Sequence, residues 1–127
     1  MQPPRQINYH RKSKRLDVVF DDVTCSLPAE LLRVYSPSAE VRGHGDSERV
    51  LQTGKKHVGI TAVEPVGNYA IRISFDDGHD SGIYAWDYLK DLNRNQVEYF
   101  DAYLAELKAA NASRLPTIPI GHWTPGR

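Results

Sequence analysis

The stretch AIRISFDDGHDSGIYAWDYLKDL, residues 70–92, decides the fold because its hydrophobic period changes midway. Apolar and polar residues alternate over 70–75, which predicts a strand with one buried face. Asp77-Gly78 predicts a two-residue hairpin turn of type I′, and residues 81–84 continue as the returning strand. Over residues 86–92 the large apolar residues recur at every third position, which predicts a short helix. Strands that lead into a helix in this way favour an α+β fold.

The residues before this stretch predict one more strand of the same sheet. Residues 58–65 are rich in β-branched side chains and mostly alternate, and Gly67-Asn68 offers a hairpin turn to the next strand. The sequence therefore predicts a small antiparallel sheet, a three-stranded meander over 58–84. Nearer the N-terminus, residues 16–20 predict another strand and residues 27–34 a short helix.

Changes in composition mark the ends of the predicted domain, which we place at residues 15–92. Residues 1–14 are polar and basic, and they predict a flexible basic arm. Residues 93–111 predict a C-terminal helix. Residues 112–127 contain prolines and lack periodicity, so they predict a loose tail.

The predicted C-terminal helix carries a wide apolar face. Positions three and four apart form a stripe, with two tyrosines alongside it; the stripe consists of Val97, Phe100, Leu104 and Leu107. A face of this width either packs on the sheet or pairs with another copy of the chain. A homodimer through this helix is therefore one of the partner arrangements that the sequence suggests.

Charge and hydropathy exclude several classes of protein. Sixteen basic residues balance sixteen acidic ones, so no net charge attracts nucleic acid or an anionic membrane. No apolar run approaches ~18 residues, the length that a membrane-spanning helix needs, and the N-terminus has no hydrophobic signal core. We therefore expect a cytoplasmic protein without a membrane or nucleic-acid partner. Cys25 is the only cysteine, which excludes an internal disulfide and a zinc site of three or four cysteines.

Four short segments occur in the order and spacing of a known family. They are Leu31-Leu32-Arg33, Gly54-Lys55-Lys56, Val66-Gly67-Asn68-Tyr69-Ala70-Ile71 and Asp77-Gly78-His79-Asp80-Ser81-Gly82-Ile83-Tyr84. Together they resemble the gamma-butyrobetaine hydroxylase-like N-terminal domain family over residues 16–92. The resemblance implies a small stand-alone bacterial protein of a family long catalogued as a domain of unknown function. Similar domains occur at the N-terminus of carnitine-pathway hydroxylases and attached to some iron–sulfur carrier ATPases.

The resemblance also implies where a metal site of the family would lie. In the hydroxylases the similar domain carries zinc on three cysteines and one histidine. With Leu32-Arg33 aligned, the cysteine positions fall on Ser36, Ser38 and Val41, and the histidine falls on His79. Structural zinc requires thiolates or imidazoles, so serine is a poor ligand and valine is none. The zinc site of the family is therefore expected to be missing from this chain.

His79 has three candidate roles. It follows the predicted Asp77-Gly78 turn, where a ring nitrogen would fix the hairpin by a hydrogen bond to a carbonyl or carboxylate. The second role is a ligand or partner contact, and the third is catalytic. His44-Gly45-Asp46 also matches the His-x-Asp pattern of iron oxygenases, although the chain lacks the strands of an oxygenase barrel. His79, His44 and Asp46 together would suit iron or zinc; if they do not converge, we expect no cofactor.

Three aromatic residues lie close together where the predicted sheet meets the helix. They are Tyr84, Trp86 and Tyr88. In one interpretation Trp86 belongs to the core and the tyrosines lie at its rim. In the other the three residues form a docking surface, because aromatic residues are enriched in protein interfaces.

Two functions of different classes remain. The first is a non-catalytic binding or adaptor module with an unknown protein partner, because similar domains occur attached to enzymes and carriers. The second is a metal-binding protein that uses His79 and His44 with nearby carboxylates. Cys25 has no catalytic signature around it, so we expect no enzyme activity. Whether His44 and His79 converge would discriminate the two functions.

Overall fold

The computed structural model describes residues 2–42 and 49–116. In this part of the chain the elements are β1 (Gln6–His10), β2 (Arg15–Val19), β3 (Thr24–Pro28), α1 (Ala29–Val34), α2 (Ala39–Arg42), β4 (Ile60–Val66), β5 (Ala70–Phe75), β6 (Gly82–Ala85), α3 (Trp86–Arg94) and α4 (Gln96–Ala109). The strands pair antiparallel in two three-stranded sheets, β1-β2-β3 and β4-β5-β6. The predicted α+β fold is confirmed. Within the described ranges, no helix has the length and apolar character needed to cross a membrane.

The second sheet is the predicted meander, with a different turn between its last two strands. The apolar side chains of β5 are buried, as the alternation predicts. The Phe75 N–H donates to the His79 carbonyl at 2.9 Å, and the Gly78 N–H donates to the Phe75 carbonyl at 3.1 Å. Gly78 has φ +92°, whereas Asp77 does not take a positive φ. The type I′ prediction is therefore wrong, and Gly78 is the single left-handed residue of a three-residue turn.

The first sheet corrects the predicted flexible arm over 1–14, because residues 6–10 form β1. Ile7 pairs with Val18 of β2, and Tyr9 pairs with Leu16. Ile7 and Tyr9 are half-buried and pack against the core, which offsets the entropy lost when this segment is ordered. The basic residues within 11–14 lie in the tight turn between the two strands, whereas Arg5 precedes β1.

The core lies where both sheets and the helices meet. Its fully buried members come from nearly every element, so the two sheets share one hydrophobic cluster. Each such side chain contributes about 1.5–3 kcal/mol when it is removed from water. The largest apolar residues with less than 2% exposure are Tyr84, Tyr103, Leu16, Leu27, Leu31, Leu32, Ile71, Ile73, Leu89 and Leu92.

The predicted apolar stripe of α4 is divided between the core and the solvent, and Phe100 is a partly buried member that packs against the core. Tyr103 is fully buried and Leu107 is 5% exposed, whereas Val97 is 67% exposed and Leu104 is 38% exposed. The Tyr103 hydroxyl donates to the Gln52 carbonyl at 3.0 Å. A tyrosine can bury a large ring once its hydroxyl has a partner, so the tyrosine face of the helix packs inward.

The predicted loose tail is wrong for residues 112–116. The carbonyls of Ser113 and Arg114 accept hydrogen bonds from the turn at residues 54–56. The Arg114 guanidinium binds Glu30 through two contacts of 2.6 and 2.7 Å, and the Glu30 side chain is 8% exposed. A buried carboxylate needs such a partner, which is why this segment lies on the domain. The rest of the predicted tail lies outside the described residues.

Candidate functional site

Three polar side chains meet where the segment after α1 contacts the turn between β5 and β6. His79 Nε2 lies 2.8 Å from Ser36 Oγ and 3.2 Å from Ser38 Oγ, and the two serine oxygens are 3.2 Å apart. Ser36 is 1% exposed and Ser38 is 5% exposed. We call these residues the serine–histidine cluster. Three of the four positions at which the resemblance places zinc ligands are therefore adjacent in space.

Close backbone packing holds the cluster in place. A Cβ atom at Gly82 would lie 2.4 Å from Ser36 Oγ, so only glycine lets β6 approach this serine. Val41, the fourth aligned position, is 1% exposed, and its N–H donates to the Ser38 carbonyl at 3.2 Å. The short helix α2 thus places a buried aliphatic side chain, without a donor atom, at the fourth aligned position.

The cluster offers one strong metal ligand, His79. Neutral serine hydroxyls bind zinc or iron poorly, and Val41 has no donor atom. Among the described residues, no three His, Cys, Asp or Glu side chains are grouped closely enough to hold a metal. The predicted ligands His44 and Asp46 lie outside the described residues. Their convergence with His79 stays a prediction.

The protonation state of His79 suits hydrogen bonding within the cluster. Burial, and then the positive charge of Arg33, lower the pKa of His79, so its imidazole is neutral at neutral pH. A neutral imidazole and two hydroxyls can satisfy one another as donors and acceptors. Ser36 lies at a nucleophile-to-base distance from the ring, but it is closed off from solvent. No described carboxylate hydrogen-bonds the His79 ring as a third catalytic member would.

An ion-pair group next to the cluster ties α1 to the same turn. Asp77 Oδ2 accepts hydrogen bonds from Arg33 Nε at 2.8 Å and from Lys55 Nζ at 2.6 Å. Asp77 Oδ1 accepts the backbone N–H of His79 at 3.1 Å. Burial raises the pKa of Asp77, but these hydrogen bonds outweigh it and lower the pKa to about 2. The turn that carries His79 is therefore fixed by charge as well as by its backbone.

The three aromatic residues considered as a docking surface are mainly core residues. Tyr84 is fully buried and donates its hydroxyl to the Leu32 carbonyl at 2.5 Å. Trp86 is 5% exposed, and its Nε1 donates to the Asn68 carbonyl at 2.8 Å. Tyr88 is half-buried, with its hydroxyl on a backbone carbonyl. The burial of Tyr84 and Trp86 contradicts a docking surface made of all three residues. It supports the interpretation that Trp86 is core, although Tyr84 lies inside the core and not at its rim.

A groove runs between the two sheets, along β1 on one side and β4 on the other. Three adjoining cavities of about 300, 500 and 310 Å³ form it. Ile7 and Val63 line the first two cavities, and Tyr9 and Ile60 line the first and third. We call this feature the inter-sheet groove.

An outer strand lies on each side of the inter-sheet groove. β1 and β4 are outer strands of their sheets, and within the described ranges no backbone hydrogen bond joins one to the other. A side-chain contact links them, in which the Ile60 N–H donates to Tyr9 Oη at 3.0 Å. Outer strands present N–H and C=O groups that can pair with another chain. Pro65 lacks an N–H and limits such pairing at the end of β4.

The groove has an apolar floor and cations at both ends. Trp86 and Ile71 line the largest of its three cavities, where the indole N–H is already bonded to the Asn68 carbonyl. Arg5 lies at this end, and Arg11 lines the other end. Arg5 is 3.3 Å from Asp21, but both side chains are 70% exposed and remain open to other charges. The groove is not evident from the sequence, because its β1 wall lies in residues 1–14, whose polar and basic composition predicts an arm. Residues 7 and 9 nevertheless show the alternation of a strand.

Comparison with known proteins gives the family. Residues 7–90 match the family described as gamma-butyrobetaine hydroxylase-like, N-terminal. A protein solved by NMR in solution is 48% identical, with 98% of each chain covered and a TM-score of 0.80. A second NMR structure is 52% identical over 93% of this chain and 89% of the other, with a TM-score of 0.79.

A crystal structure extends this similarity. It contains a protein of unknown function of the DUF971 family from Acidithiobacillus ferrooxidans, solved at 1.93 Å. This protein is 37% identical over 71% of the present chain and 91% of its own, with a TM-score of 0.60. No curated protein matches the chain.

Proposed function

The chain belongs to the gamma-butyrobetaine hydroxylase-like N-terminal family, and we propose that it is a non-catalytic binding module. In this proposal the inter-sheet groove holds an extended polypeptide segment of a partner protein. The observation that carries the proposal is the pair of outer strands, β1 and β4, whose edges face each other across the groove.

The strand edges supply a general means of recognition. An extended segment that lies along a free edge gains main-chain hydrogen bonds, and pockets for its alternate side chains give specificity. In this groove β1 offers its outer edge, and β4 offers its edge from Thr61 to the residue before Pro65, because the Ile60 N–H is already bonded to Tyr9 Oη. A bound segment would connect the two sheets through its own backbone.

The lining of the groove specifies the chemistry of that segment. Ile7, Val63 and Trp86 favour apolar side chains on the face of the segment that points inward. Arg5 and Arg11 at the two ends favour carboxylates there, because opposite charges steer and orient a partner. We therefore expect an extended apolar segment flanked by Asp or Glu.

Two further observations support a binding role over catalysis. The Ser36–His79 pair is closed by burial and by its own hydrogen bonds, so it offers no accessible nucleophile. In addition, the family resemblance places similar domains next to hydroxylases and iron–sulfur carrier ATPases. An enzyme or carrier protein is therefore the class of partner that we propose.

Site-specific photo-crosslinking in extract of the source cells tests the groove. A photoreactive residue replaces Ala62, which is exposed and lines the groove. A matched probe replaces Ile83, which is 46% exposed on β6. We expect a discrete adduct from position 62 only, and peptide mapping should find the crosslink in an extended apolar segment with acidic flanks.

Competition makes the crosslinking result decisive. Unlabelled wild-type protein should suppress the adduct, because it binds the same partner segment. Unlabelled Ala62→Lys protein should not suppress it, because the long lysine side chain occupies the space that alanine leaves for the segment. Equal adducts from positions 62 and 83, or equal suppression by both competitors, would contradict the proposal.

A metal-binding function is the second candidate, and the geometry around His79 is the observation that favours it. His79 Nε2 and two serine oxygens converge within 3.2 Å, and the lowered pKa keeps the ring in the neutral form that a metal requires. His44 and Asp46 would have to complete a site for iron or zinc. In that proposal His79 supplies the strongest ligand and the serines orient it.

Metal content separates the two candidates. The untagged protein, purified without chelator, is analysed by elemental mass spectrometry beside His79→Ala. Near-stoichiometric iron or zinc that disappears in the variant would establish the metal-binding function. The binding-module proposal predicts no metal in either sample, before and after incubation with iron or zinc salts.

A further inference from the structure

One flank of α4 exposes apolar side chains to solvent. Val97 is 67% exposed and Leu104 is 38% exposed, and Leu115 just beyond the helix is 54% exposed. One side of the helix carries four residues that are spaced by four, three and four positions, namely Val97, Asp101, Leu104 and Lys108. We call these four residues the α4 stripe.

The domain does not need the α4 stripe to hold the helix in place. Tyr103 and Leu107 on the neighbouring flank are buried, and the Tyr103 hydroxyl is bonded to the Gln52 carbonyl. The Tyr99 hydroxyl donates to Asp91 on α3 at 2.5 Å. Burial of the α4 stripe therefore requires a second surface.

The charges of the stripe indicate what that surface is. Asp101 comes three residues before Leu104, and Lys108 comes four residues after it. Neither charge takes part in an ion pair among the described residues. The two opposite charges lie about 10 Å apart along the helix, with an apolar residue between them. Such a stripe is complementary to a second copy of itself that runs antiparallel, because each negative charge then faces a positive one.

We propose that two copies of the chain associate through antiparallel packing of their α4 stripes. A two-fold axis beside Leu104 brings this residue against its symmetry mate and places Asp101 of each copy opposite Lys108 of the other. Val97 then meets the segment that follows the second copy's α4, where Leu115 is exposed. The stripe shares no residue with the inter-sheet groove, so the dimer carries two grooves.

Charge reversal tests this arrangement on the full-length chain by sedimentation equilibrium over a concentration series. Asp101→Lys leaves two lysines on the stripe, and Lys108→Asp leaves two aspartates, so each variant should dimerise at least about tenfold more weakly than the wild type. An equimolar mixture of the two variants should restore dimers, because the lysines of one face the aspartates of the other. Circular dichroism should show that both variants remain folded.

Two further variants separate the α4 stripe from a dimer surface elsewhere on the domain. Leu104→Glu should abolish dimers, whereas Ile83→Glu, on an exposed site of β6, should leave them unchanged. A wild type that stays monomeric at every concentration, or variants that dimerise as the wild type does, would overturn the proposal. Dimers that form only after removal of residues 117–127 would also overturn it, because the tail would then be the occupant of the stripe.

Discussion

The serine–histidine cluster and the inter-sheet groove differ in how their polar groups are satisfied. In the cluster, two buried serines and His79 hydrogen-bond one another. In the groove, the outer edges of β1 and β4 face each other without a backbone hydrogen bond among the described residues. The cluster is closed, and the groove is open.

The comparison distinguishes polar groups that stabilise the fold from polar groups that are free to bind another chain. Buried polar groups must be paired, and a network that is fully paired stabilises one conformation. Unpaired strand edges instead gain when another chain is added. The region that first suggested a site, around His79, is therefore the region that we expect to contribute to folding, and the groove is the region that we expect to bind.

The largest predicted effect is zinc binding by a variant of the serine–histidine cluster. In the variant Ser36→Cys/Ser38→Cys/Val41→Cys, three thiolates and His79 should bind one zinc ion. The family resemblance aligns these four positions with the three cysteines and one histidine that carry zinc in the similar domains. The apparent binding free energy should be on the order of 10 kcal/mol at neutral pH. Elemental analysis and thermal unfolding with and without zinc would measure it.

A matched control is available for the zinc variant. Addition of His79→Ala to the three cysteines should weaken zinc binding strongly, because one of four ligands is lost. A three-cysteine protein that folds but binds no zinc would show that the four positions lack the geometry of a zinc site. The serine–histidine cluster would then not occupy the place of the zinc site of the family.

Removal of one hydroxyl from the cluster should have a smaller effect. Ser36→Ala leaves Ser38 and His79 with fewer partners in a buried site, so it should lower the free energy of unfolding by about 1–3 kcal/mol. Ser81→Ala is the matched control, because its hydroxyl bonds Glu40 at an exposed site, and it should change stability by at most about 0.5 kcal/mol. Urea unfolding gives both values. Equal effects of the two variants would show that the cluster does not stabilise the fold.

The groove should respond in the opposite way to substitution. Ala62→Lys should weaken binding of the crosslinked partner segment at least about tenfold, while stability changes by at most about 0.5 kcal/mol because the residue is exposed. Isothermal titration with the synthetic segment measures the affinity. Retention of full affinity in this variant would place the binding surface elsewhere.

The smallest predicted effect is the pH dependence of the ion-pair group beside the cluster. The pKa of Asp77 is about 2 in the folded protein, below its ordinary value of 3.8, so its stabilisation is present above about pH 4. That stabilisation should be lost as the pH falls from about 4 to 2, and after allowance for solvent screening it amounts to about 1 kcal/mol. Unfolding of Asp77→Asn should show a correspondingly shallower pH dependence. Identical slopes would contradict the assignment.

The sequence predicted the elements whose hydrophobic period is regular and missed those that depend on contacts between distant residues. The alternation of apolar and polar residues was sufficient to predict β5 and the meander that contains it. It was not sufficient for β1, where a basic turn obscured the pattern. The apolar spacing of α4 was also not sufficient to predict which side of this helix is buried, because the buried Tyr103 bonds a carbonyl 51 residues away in the sequence.

The candidate sites likewise differ in whether the sequence predicts them. The convergence of Ser36 with His79 follows from the family resemblance, since the two residues are 43 positions apart and share no local pattern. The inter-sheet groove could not be predicted from any segment alone, because its walls belong to two sheets. Their relative placement is set by the shared core.

Chemical-shift mapping by NMR would test the central claim most directly. The labelled protein is titrated with the synthetic partner segment identified by crosslinking at position 62. We predict that the backbone amides of β1 and of the first residues of β4 shift and become protected from hydrogen exchange, while those of Ser36 and His79 do not. Shifts centred on the serine–histidine cluster, with β1 and β4 unchanged, would contradict the account.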